Sequence, residues 1–249
     1  MVRGNRRIAD LARRGGPKGA LLLGLTACLG APQESPPEPA SEDPRSLYAR
    51  NFDGQAFFNP WRSFDLRTRD LIRFGLTRRP ARGSTPPEVR SVPNDGAGLS
   101  GVQQSAEFTW VGHATFVIHD GDDVVLTDPH FSKRALVPAR AFEPGVPLES
   151  IPPDAFAVIS HNHYDHLDAG TVDRLPESVE WFVPMGLAEW FRDRGRSRVT
   201  ELGWWESAQH GRWTLTCLPS QHWSRRIGQG RDETLWCSWL LDSGEHRYY

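Results

Sequence analysis

Four side chains that commonly bind metal ions lie within six residues near the middle of the chain: His161, His163, Asp165 and His166. His161 and His163 are two residues apart, so an extended backbone points both side chains to the same side. Neutral imidazole and carboxylate oxygen both suit zinc, and three protein ligands per ion leave a position open for water. The spacing therefore predicts a catalytic metal centre that can serve two neighbouring ions. The alternative is a polar loop with surface histidines, but three of the nine histidines of the chain lie in this one stretch.

The residues around this loop indicate how the fold positions it. The apolar run 155–160 predicts a buried strand that leads directly into the loop. Asp128 follows another apolar run that also reads as a strand. His222 follows a predicted half-buried strand at 212–218, so it should lie at a strand end, as the metal loop does. Taken alone, a histidine in such a position is more often an ordinary loop residue than a ligand.

The wider pattern predicts a mixed sheet covered by helices, which is an α/β or α+β class. An Asp120-Gly121 pair between two apolar runs indicates a hairpin. Further strands are predicted at 108–111, 115–118, 124–127, 181–183, 234–241 and 246–249. Helices are predicted over part of 64–76, near 169–175 and at 186–194.

Several motifs in order resemble the metallo-β-lactamase superfamily of metallohydrolases, and within it the N-acylphosphatidylethanolamine-hydrolysing phospholipase D family. The segments that carry the resemblance are 109–115, 126–132, the H-x-H-x-D-H loop within 159–168, 181–184, 201–206 and 219–224. The resemblance runs from about residue 51 to the end of the chain. It implies an αββα sandwich of the metallo-β-lactamase type and a zinc-dependent hydrolase.

The resemblance also implies roles for individual residues. Five side chains would be zinc ligands: His161, His163 and His222 at a first ion, and Asp165 and His166 at a second. Asp128 would support the metal loop without binding the metal itself, although the bare sequence equally allows a turn aspartate before a proline. His113 follows Gly112 between two predicted strands and could face the site, but we interpret it as a structural histidine.

The chemistry implied by the resemblance is phosphodiester hydrolysis. Zinc lowers the pKa of a bound water from about 15.7 to about 7, so a hydroxide nucleophile is available at neutral pH. We therefore expect an N-acylphosphatidylethanolamine-like phospholipid as substrate, with Arg225 and Arg226 as candidates for contact with its headgroup. A soluble substrate such as a lactone, a sugar phosphate or a β-lactam would use the same metal loop. A non-catalytic envelope lipoprotein is the third possibility.

Two positions of the family pattern follow beyond the last residue of this chain: an aspartate that bridges both zinc ions and a later histidine on the second ion. We therefore expect the chain to be the N-terminal part of a metallohydrolase. Its domain, at 107–249, would lack a C-terminal part. The second zinc site would then be weak or empty, and the fragment itself could be inactive.

The N-terminal residues predict export and a lipid anchor. Residues 1–27 combine a basic stretch with an apolar stretch too short to span a bilayer, and Leu25-Thr26-Ala27-Cys28 resembles a bacterial lipobox in which Cys28 is lipidated. The composition predicts a disordered tether at 28–50, followed by an N-terminal extension at 51–106. These features predict a protein anchored by lipid to the bacterial cell envelope. The alternative is an ordinary export signal beside a coincidental cysteine.

Composition narrows the class of partner. The chain has 29 Lys and Arg residues against 31 Asp and Glu residues, which gives a net charge of −2. The composition therefore offers no excess of positive charge for binding nucleic acid. We therefore expect a phospholipid or small-molecule substrate and a membrane surface rather than a nucleic-acid partner. The three cysteines are too few for a disulfide scaffold. Cys217 and Cys237 could form a disulfide or remain two buried thiols.

Overall fold

The computed structural model describes residues 50–61, 92–137 and 139–249, together with Arg45, Tyr48, Arg69, Arg73, Leu76 and Thr77. The chain divides into two units, one of residues 1–31 and 65–82 and the other of residues 32–64 and 83–249. In the first unit, the four described residues are all helical and lie in or beside the predicted helix at 64–76. The predicted signal peptide at 1–27, Cys28 and most of the tether at 28–50 lie outside the described residues.

A mixed sheet in the second unit contains these strands, which are neighbours in chain order: β1 (Glu107–Gly112), β2 (Thr115–Asp120), β3 (Asp123–Thr127), β4 (Phe156–Val158), β5 (Glu180–Pro184) and β6 (Val199–Leu202). Strands β1, β2 and β3 pair antiparallel, and β3 to β6 pair parallel. Helix α1 (Ala169–Arg174) connects β4 to β5, and helix α2 (Ala188–Arg192) connects β5 to β6. Parallel pairing brings the carboxyl ends of β3 and β4 to the same edge of the sheet, where the metal loop begins.

A second, antiparallel sheet has the order β10-β9-β8-β7. Its strands are β7 (Ser207–His210), β8 (Trp213–Leu218), β9 (Ser238–Asp242) and β10 (Arg247–Tyr248). Apolar residues alternate along β8, so that Trp213, Leu215 and Cys217 are buried while the residues between them are half-buried. This period of two turns one face of the sheet towards the core.

Alternation within the first sheet places two hydrophobic cores among the described residues of the second unit. Val125 and Phe156 point towards the second sheet and pack with Trp213, whereas Leu126 and Ala157 point to the opposite face. That opposite face packs against the helices, whose buried residues include Val172 and Phe191. Both sheets and one helical layer of the predicted sandwich are therefore present among the described residues, and the predicted fold class is confirmed.

The buried segments were predicted more accurately than the edges. The predicted strand at 234–241 is too long, since β9 begins only at Ser238. Before that point the backbone bonds to loops of the first sheet: Leu235 N–H donates to the Met185 carbonyl and Cys237 N–H to the Ser160 carbonyl, both at 2.9 Å. The returning strand is also shorter than expected, with only the two residues of β10.

Two strands at the edges of the sheets were not predicted. Strands β6 and β7 contain too many polar residues for a clear apolar alternation, and the sequence did not predict them.

Cys217 and Cys237 are both buried free thiols, which resolves the alternative between a disulfide and two thiols. Of the helices that the structure describes, none has the length and apolar character needed to cross a bilayer.

Candidate metal centre

The candidate metal centre forms where strands of both sheets end. Strand β4 ends at Val158, and the chain continues through Ser160 into the metal loop. Asp128 directly follows β3, and its N–H donates a 2.9 Å hydrogen bond to the Val158 carbonyl, which ties the two strand ends together. His222 arrives from the second sheet, beyond the end of β8. The fold thus brings residues that are far apart in sequence to one place.

Three imidazoles converge in the first part of this centre. His161 Nε2 lies 2.9 Å from His163 Nδ1 and 3.0 Å from His222 Nε2. The His161 side chain is buried, and the other two histidines are half-buried. We call these three residues the first group, because their ring nitrogens lie close enough together to share one ion.

The first group fits a cation better than it fits hydrogen bonding among its own rings. A neutral imidazole has one nitrogen that accepts a hydrogen bond and one that donates. His161 Nε2 nevertheless faces two ring nitrogens at once. A divalent cation would take a lone pair from each of the three rings and remove this conflict. His163 Nε2 is buried without a hydrogen-bond partner among the described residues, so that the polar contacts of this ring lie on the side of the first group.

The environment keeps these rings in the neutral form that metal binding requires. Burial lowers the pKa of His161 well below its ordinary value, and the neighbouring His166 and His163 lower it further. Burial and the charge of His222 lower the pKa of His163 to about 3. Burial also lowers the pKa of His222, with a further contribution from His166. The first group is therefore uncharged at neutral pH.

A second group consists of His113, Asp165 and His166. His113 Nε2 lies 3.2 Å from His166 Nε2 and 3.1 Å from Asp165 Oδ2. The two groups adjoin, since the ring centroids of His161 and His166 are 4.1 Å apart. The second group is the more open of the two, because the His113 and Asp165 side chains are 58% and 46% exposed.

One carboxylate orients histidines of both groups. Asp128 Oδ2 accepts a 2.7 Å hydrogen bond from His166 Nδ1 and another of 2.7 Å from the Ser160 hydroxyl. Because Ser160 uses its only proton in that bond, its oxygen accepts the 2.8 Å hydrogen bond from His161 Nδ1. Both histidines are thereby left with their Nε2 lone pairs directed into the two groups. Support of this kind for metal-binding histidines is typical of metal sites.

The same carboxylate sets the charge of the second group. Burial alone would lower the pKa of His166, but the hydrogen bond and the charge of Asp128, together with the charge of Asp165, raise it. His166 therefore differs from the three histidines of the first group. A metal ion at this position would have to displace a proton that Asp128 stabilises.

Two residues of the centre have left-handed backbone conformations, with φ of 51° at His113 and 39° at Asp128. Residues other than glycine adopt this conformation at an energetic cost and only where surrounding contacts hold them. Trp110 Nε1 donates to the His113 carbonyl at 3.1 Å, and the Thr115 hydroxyl donates to the Asp128 carbonyl at 2.7 Å. These contacts hold both residues in the positions from which their side chains reach the centre.

Arg226 holds the metal loop rather than facing solvent. Its side chain is buried, and Nη1 donates hydrogen bonds of 2.8 Å to the carbonyls of Asn162, within the loop, and Leu167, directly after it. The guanidinium also lies 4.1 Å from the centroid of the Tyr164 ring. Arg226 thus acts on the loop backbone through Nη1, and its expected contact with a substrate headgroup stays a prediction.

A third set of metal-capable side chains lies away from the centre and comprises Asp120, Glu245 and His246. Asp120 accepts a 2.7 Å hydrogen bond from the Tyr248 hydroxyl and forms an ion pair with Arg212 at 3.4 Å. Its charge is thus already balanced by a cation of the chain itself. This set is best described as part of an ion-pair network.

The structure brings all the predicted ligands together, in the two groups described above. It also places Asp128 against the metal loop, in the position from which it was predicted to support that loop. Sequence reasoning did not assign His113 to the site: it was interpreted as a structural histidine, whereas it is an exposed member of the second group. The available signal was its position after Gly112 in the turn between β1 and β2, which places it at a strand end.

The titration of His163 predicts how the stability of the metal-free protein depends on pH. Its pKa is about 3 in the folded protein against an ordinary value of 6.5, so between these values the unfolded chain binds a proton that the folded chain does not. Stability should therefore fall as the pH falls through this window, by about 1.4 kcal/mol per pH unit for each such proton. We expect His163→Asn to reduce the slope of the free energy of unfolding against pH in this window, which is the acid limb of the profile. The free energy would be measured by unfolding in urea with a chelator present.

His166→Asn serves as the matched control for this prediction. The pKa of His166 is raised, so the stability that it contributes is complete below pH 6.5 and is lost as the pH rises through its folded-state pKa. Its replacement should therefore change the profile above pH 6.5. An acid limb that is equally steep in His163→Asn and in the wild type would contradict the prediction.

The chain is similar to known proteins over most of its length. A family model described as a beta-lactamase superfamily domain matches residues 124–249. The chain is 37% identical over 158 residues to N-acyl-phosphatidylethanolamine-hydrolyzing phospholipase D 1 of Caenorhabditis elegans, which covers 57% of this chain and 44% of that protein. It is 33% identical over 240 residues to an uncharacterized protein of Mycobacterium tuberculosis, which covers 92% of this chain and 62% of that protein.

A mitochondrial N-acyl-phosphatidylethanolamine-hydrolyzing phospholipase D of Saccharomyces cerevisiae is 32% identical over 144 residues, which covers 53% of this chain and 31% of that protein. The chain thus spans between 31% and 62% of the length of these relatives. The family match covers half of the chain and includes the metal loop and His222. Together with the two-sheet fold, it shows that the chain belongs to the β-lactamase superfamily and has the metallo-β-lactamase fold.

Proposed function

We propose that the full-length protein is a zinc-dependent hydrolase that cleaves a phosphodiester bond of an N-acylphosphatidylethanolamine-like phospholipid. The observation that carries the proposal is the convergence of His161, His163 and His222 on a common point, with ring nitrogens 2.9 and 3.0 Å apart. The lipid substrate is supported by two relatives whose names describe hydrolysis of N-acyl-phosphatidylethanolamine.

Different residues of the chain would hold the ions, orient the ligands and leave the site open to a substrate. The first group would hold one ion in a buried site, and the second group would hold another where the site opens to solvent. When bound, the zinc ions supply a water of lowered pKa and positive charge for the oxygens of a phosphodiester. Asp128 orients His161 and His166, and Arg226 holds the loop between them. The exposure of His113 and Asp165 leaves the second group accessible to a substrate.

Metal content tests the two groups separately. We expect His222→Ala to weaken zinc binding at the first group and His113→Ala to weaken it at the second, because each variant deletes one of three converging ligands and leaves two. Zinc per chain would be measured by elemental analysis after dialysis against a range of free zinc concentrations. His210→Ala is the control, since that histidine pairs with Glu180 at 3.3 Å, outside the two groups. Equally little zinc in the wild type and in His222→Ala would contradict the proposed metal centre.

Product analysis tests the reaction. The full-length protein, incubated with vesicles that contain N-acylphosphatidylethanolamine, should release phosphatidic acid and N-acylethanolamine, identified by mass spectrometry. In water labelled with oxygen-18 the label should appear in the phosphatidic acid, because water oxygen replaces the ethanolamine oxygen on phosphorus. His161→Ala should abolish both products, since it removes the central ligand of the first group.

The same assay separates the proposal from its alternatives. Hydrolysis of a soluble lactone, sugar phosphate or β-lactam without release of phosphatidic acid would favour a soluble substrate on the same centre. If no substrate in the set is cleaved in a manner that depends on His161, the catalytic proposal is wrong, and a non-catalytic role in the envelope becomes the better description.

We also propose that the protein is anchored to the bacterial cell envelope through lipid on Cys28. The support is the sequence of residues 1–28 alone, in which a basic and an apolar stretch precede the cysteine. In bacteria that express the full-length protein, Cys28→Ser should move it from the membrane fraction to the soluble fraction and abolish labelling with a radioactive fatty acid. Equal labelling of wild type and variant would contradict this anchor.

A further inference from the structure

A side chain far from the metal loop in sequence holds the backbone of His222. Asn59 Nδ2 donates a 2.8 Å hydrogen bond to the His222 carbonyl, and Asn59 Oδ1 accepts a 3.2 Å hydrogen bond from the His222 N–H. The two residues are separated by 163 positions, and the Asn59 side chain is only 3% exposed. A single buried amide therefore satisfies both backbone polar groups of one candidate ligand.

This pair of hydrogen bonds restricts the conformation of His222. Its N–H belongs to the peptide group before the residue, and its carbonyl belongs to the peptide group after it. Fixing both planes limits the two backbone dihedrals of His222 and so the direction of its side chain. The ring must point at His161 Nε2, 3.0 Å away, although the loop that carries it belongs to the other sheet. The hydrogen bonds of the Asn59 amide thus help to set the direction from which the His222 imidazole approaches His161.

The segment that carries Asn59 is itself held in place. Phe52 and Phe57 form a β-bridge, and between them Asp53 Oδ1 accepts hydrogen bonds from the N–H groups of Gln55 and Ala56, both at 2.8 Å. The Phe57 side chain is buried in the core between the two sheets. These contacts fix the loop that leads to Asn59.

The end of this loop is also joined to the region around His222. Phe57 N–H donates to the Asp232 carbonyl at 2.8 Å, and Asp232 Oδ1 accepts from the Ser224 N–H at 2.9 Å. Beyond Asn59, Trp61 stacks on Trp204 with ring centroids 5.6 Å apart. Contacts on both sides of Asn59 thus hold it against the loop of His222.

We propose that Asn59 is a positioning residue for His222, so that residues 51–61 are part of the metal centre rather than a separate extension. This inference rests on the proposed function, because it assigns to Asn59 an effect on metal binding at the first group. Asparagine suits the task because its amide offers one donor and one acceptor side by side. Aspartate keeps the acceptor but turns a second oxygen towards the His222 carbonyl, and alanine removes both partners.

The test is a double-mutant cycle on zinc affinity. In the full-length protein, Asn59→Ala should weaken zinc binding at the first group by about 10–100-fold, the range found when supporting partners of metal ligands are removed. In a His222→Ala background, Asn59→Ala should have no further effect, because Asn59 acts through that histidine. Affinity would be measured by competition with a chromophoric chelator. The visible absorption of bound cobalt(II) gives a second readout of the ligand geometry.

Two further variants complete the test: one is a matched control, and the other replaces Asn59→Ala if that variant does not fold. Asn94→Ala is the matched control, since it deletes an amide whose hydrogen bonds go to Thr109 and Gly96, and it should leave zinc affinity unchanged. Should Asn59→Ala not fold, Asn59→Asp, which has nearly the same volume, is measured in the same way and should show a comparable loss.

The outcomes separate this inference from the proposed function. Wild-type zinc affinity in both Asn59 variants would overturn the inference, and so would an equal loss in the presence and absence of the His222 imidazole, which would indicate a general structural role. A wild-type protein that binds no zinc would instead contradict the proposed function itself, and the inference with it. Loss of affinity only where His222 is present supports the inference.

Discussion

The hydrogen bonds of the Asp128 carboxylate are the interaction on which both halves of the metal centre depend. Two candidate metal groups that share no ligand are aligned by one side chain, directly at His166 and through the Ser160 hydroxyl at His161. The arrangement requires Asp128 and Ser160 to meet, and they do so because β3 and β4 are parallel neighbours whose carboxyl ends coincide. Loss of the parallel pairing would therefore misalign both groups together. This is the physical reason why the position of the sheet edge and the chemistry of the site cannot be separated.

Around this carboxylate, the metal centre is held by contacts that come from three different parts of the chain. Arg226 binds carbonyls within and directly after the metal loop, Trp110 binds the backbone of His113, and Asn59 binds the backbone of His222. Each contact reaches a backbone group rather than a metal-capable atom. The ring nitrogens are consequently free to face one another, which is unfavourable without a cation and favourable with one. Stability and metal binding are thus coupled at this site.

Local patterns were sufficient to predict the metal loop, and the family resemblance added His222 and Asp128, but the other residues of the centre were not predicted. The H-x-H-x-D-H loop identifies itself because its chemistry is concentrated within six residues, and the strand before it is recognisable from an unbroken apolar run. His113, Arg226 and Asn59 carry no signal of this strength. Each has an ordinary local sequence, and its importance arises from a contact made across 53 to 163 positions. Loop closure over such distances is decided by the packing of the whole sheet, which single-sequence patterns do not contain.

The two groups also differ in a way that bears on how a substrate could approach. The first group is enclosed, and burial keeps its histidines neutral. The second group is open to solvent and carries the carboxylate of Asp165 and a histidine with a raised pKa. An ion in the enclosed group would be held by neutral rings alone and would keep its full positive charge, whereas an ion in the open group would be partly neutralised by Asp165. For the anionic phosphodiester proposed above as substrate, the strongest field would therefore lie at the inner ion, and the outer group would be the side from which it arrives.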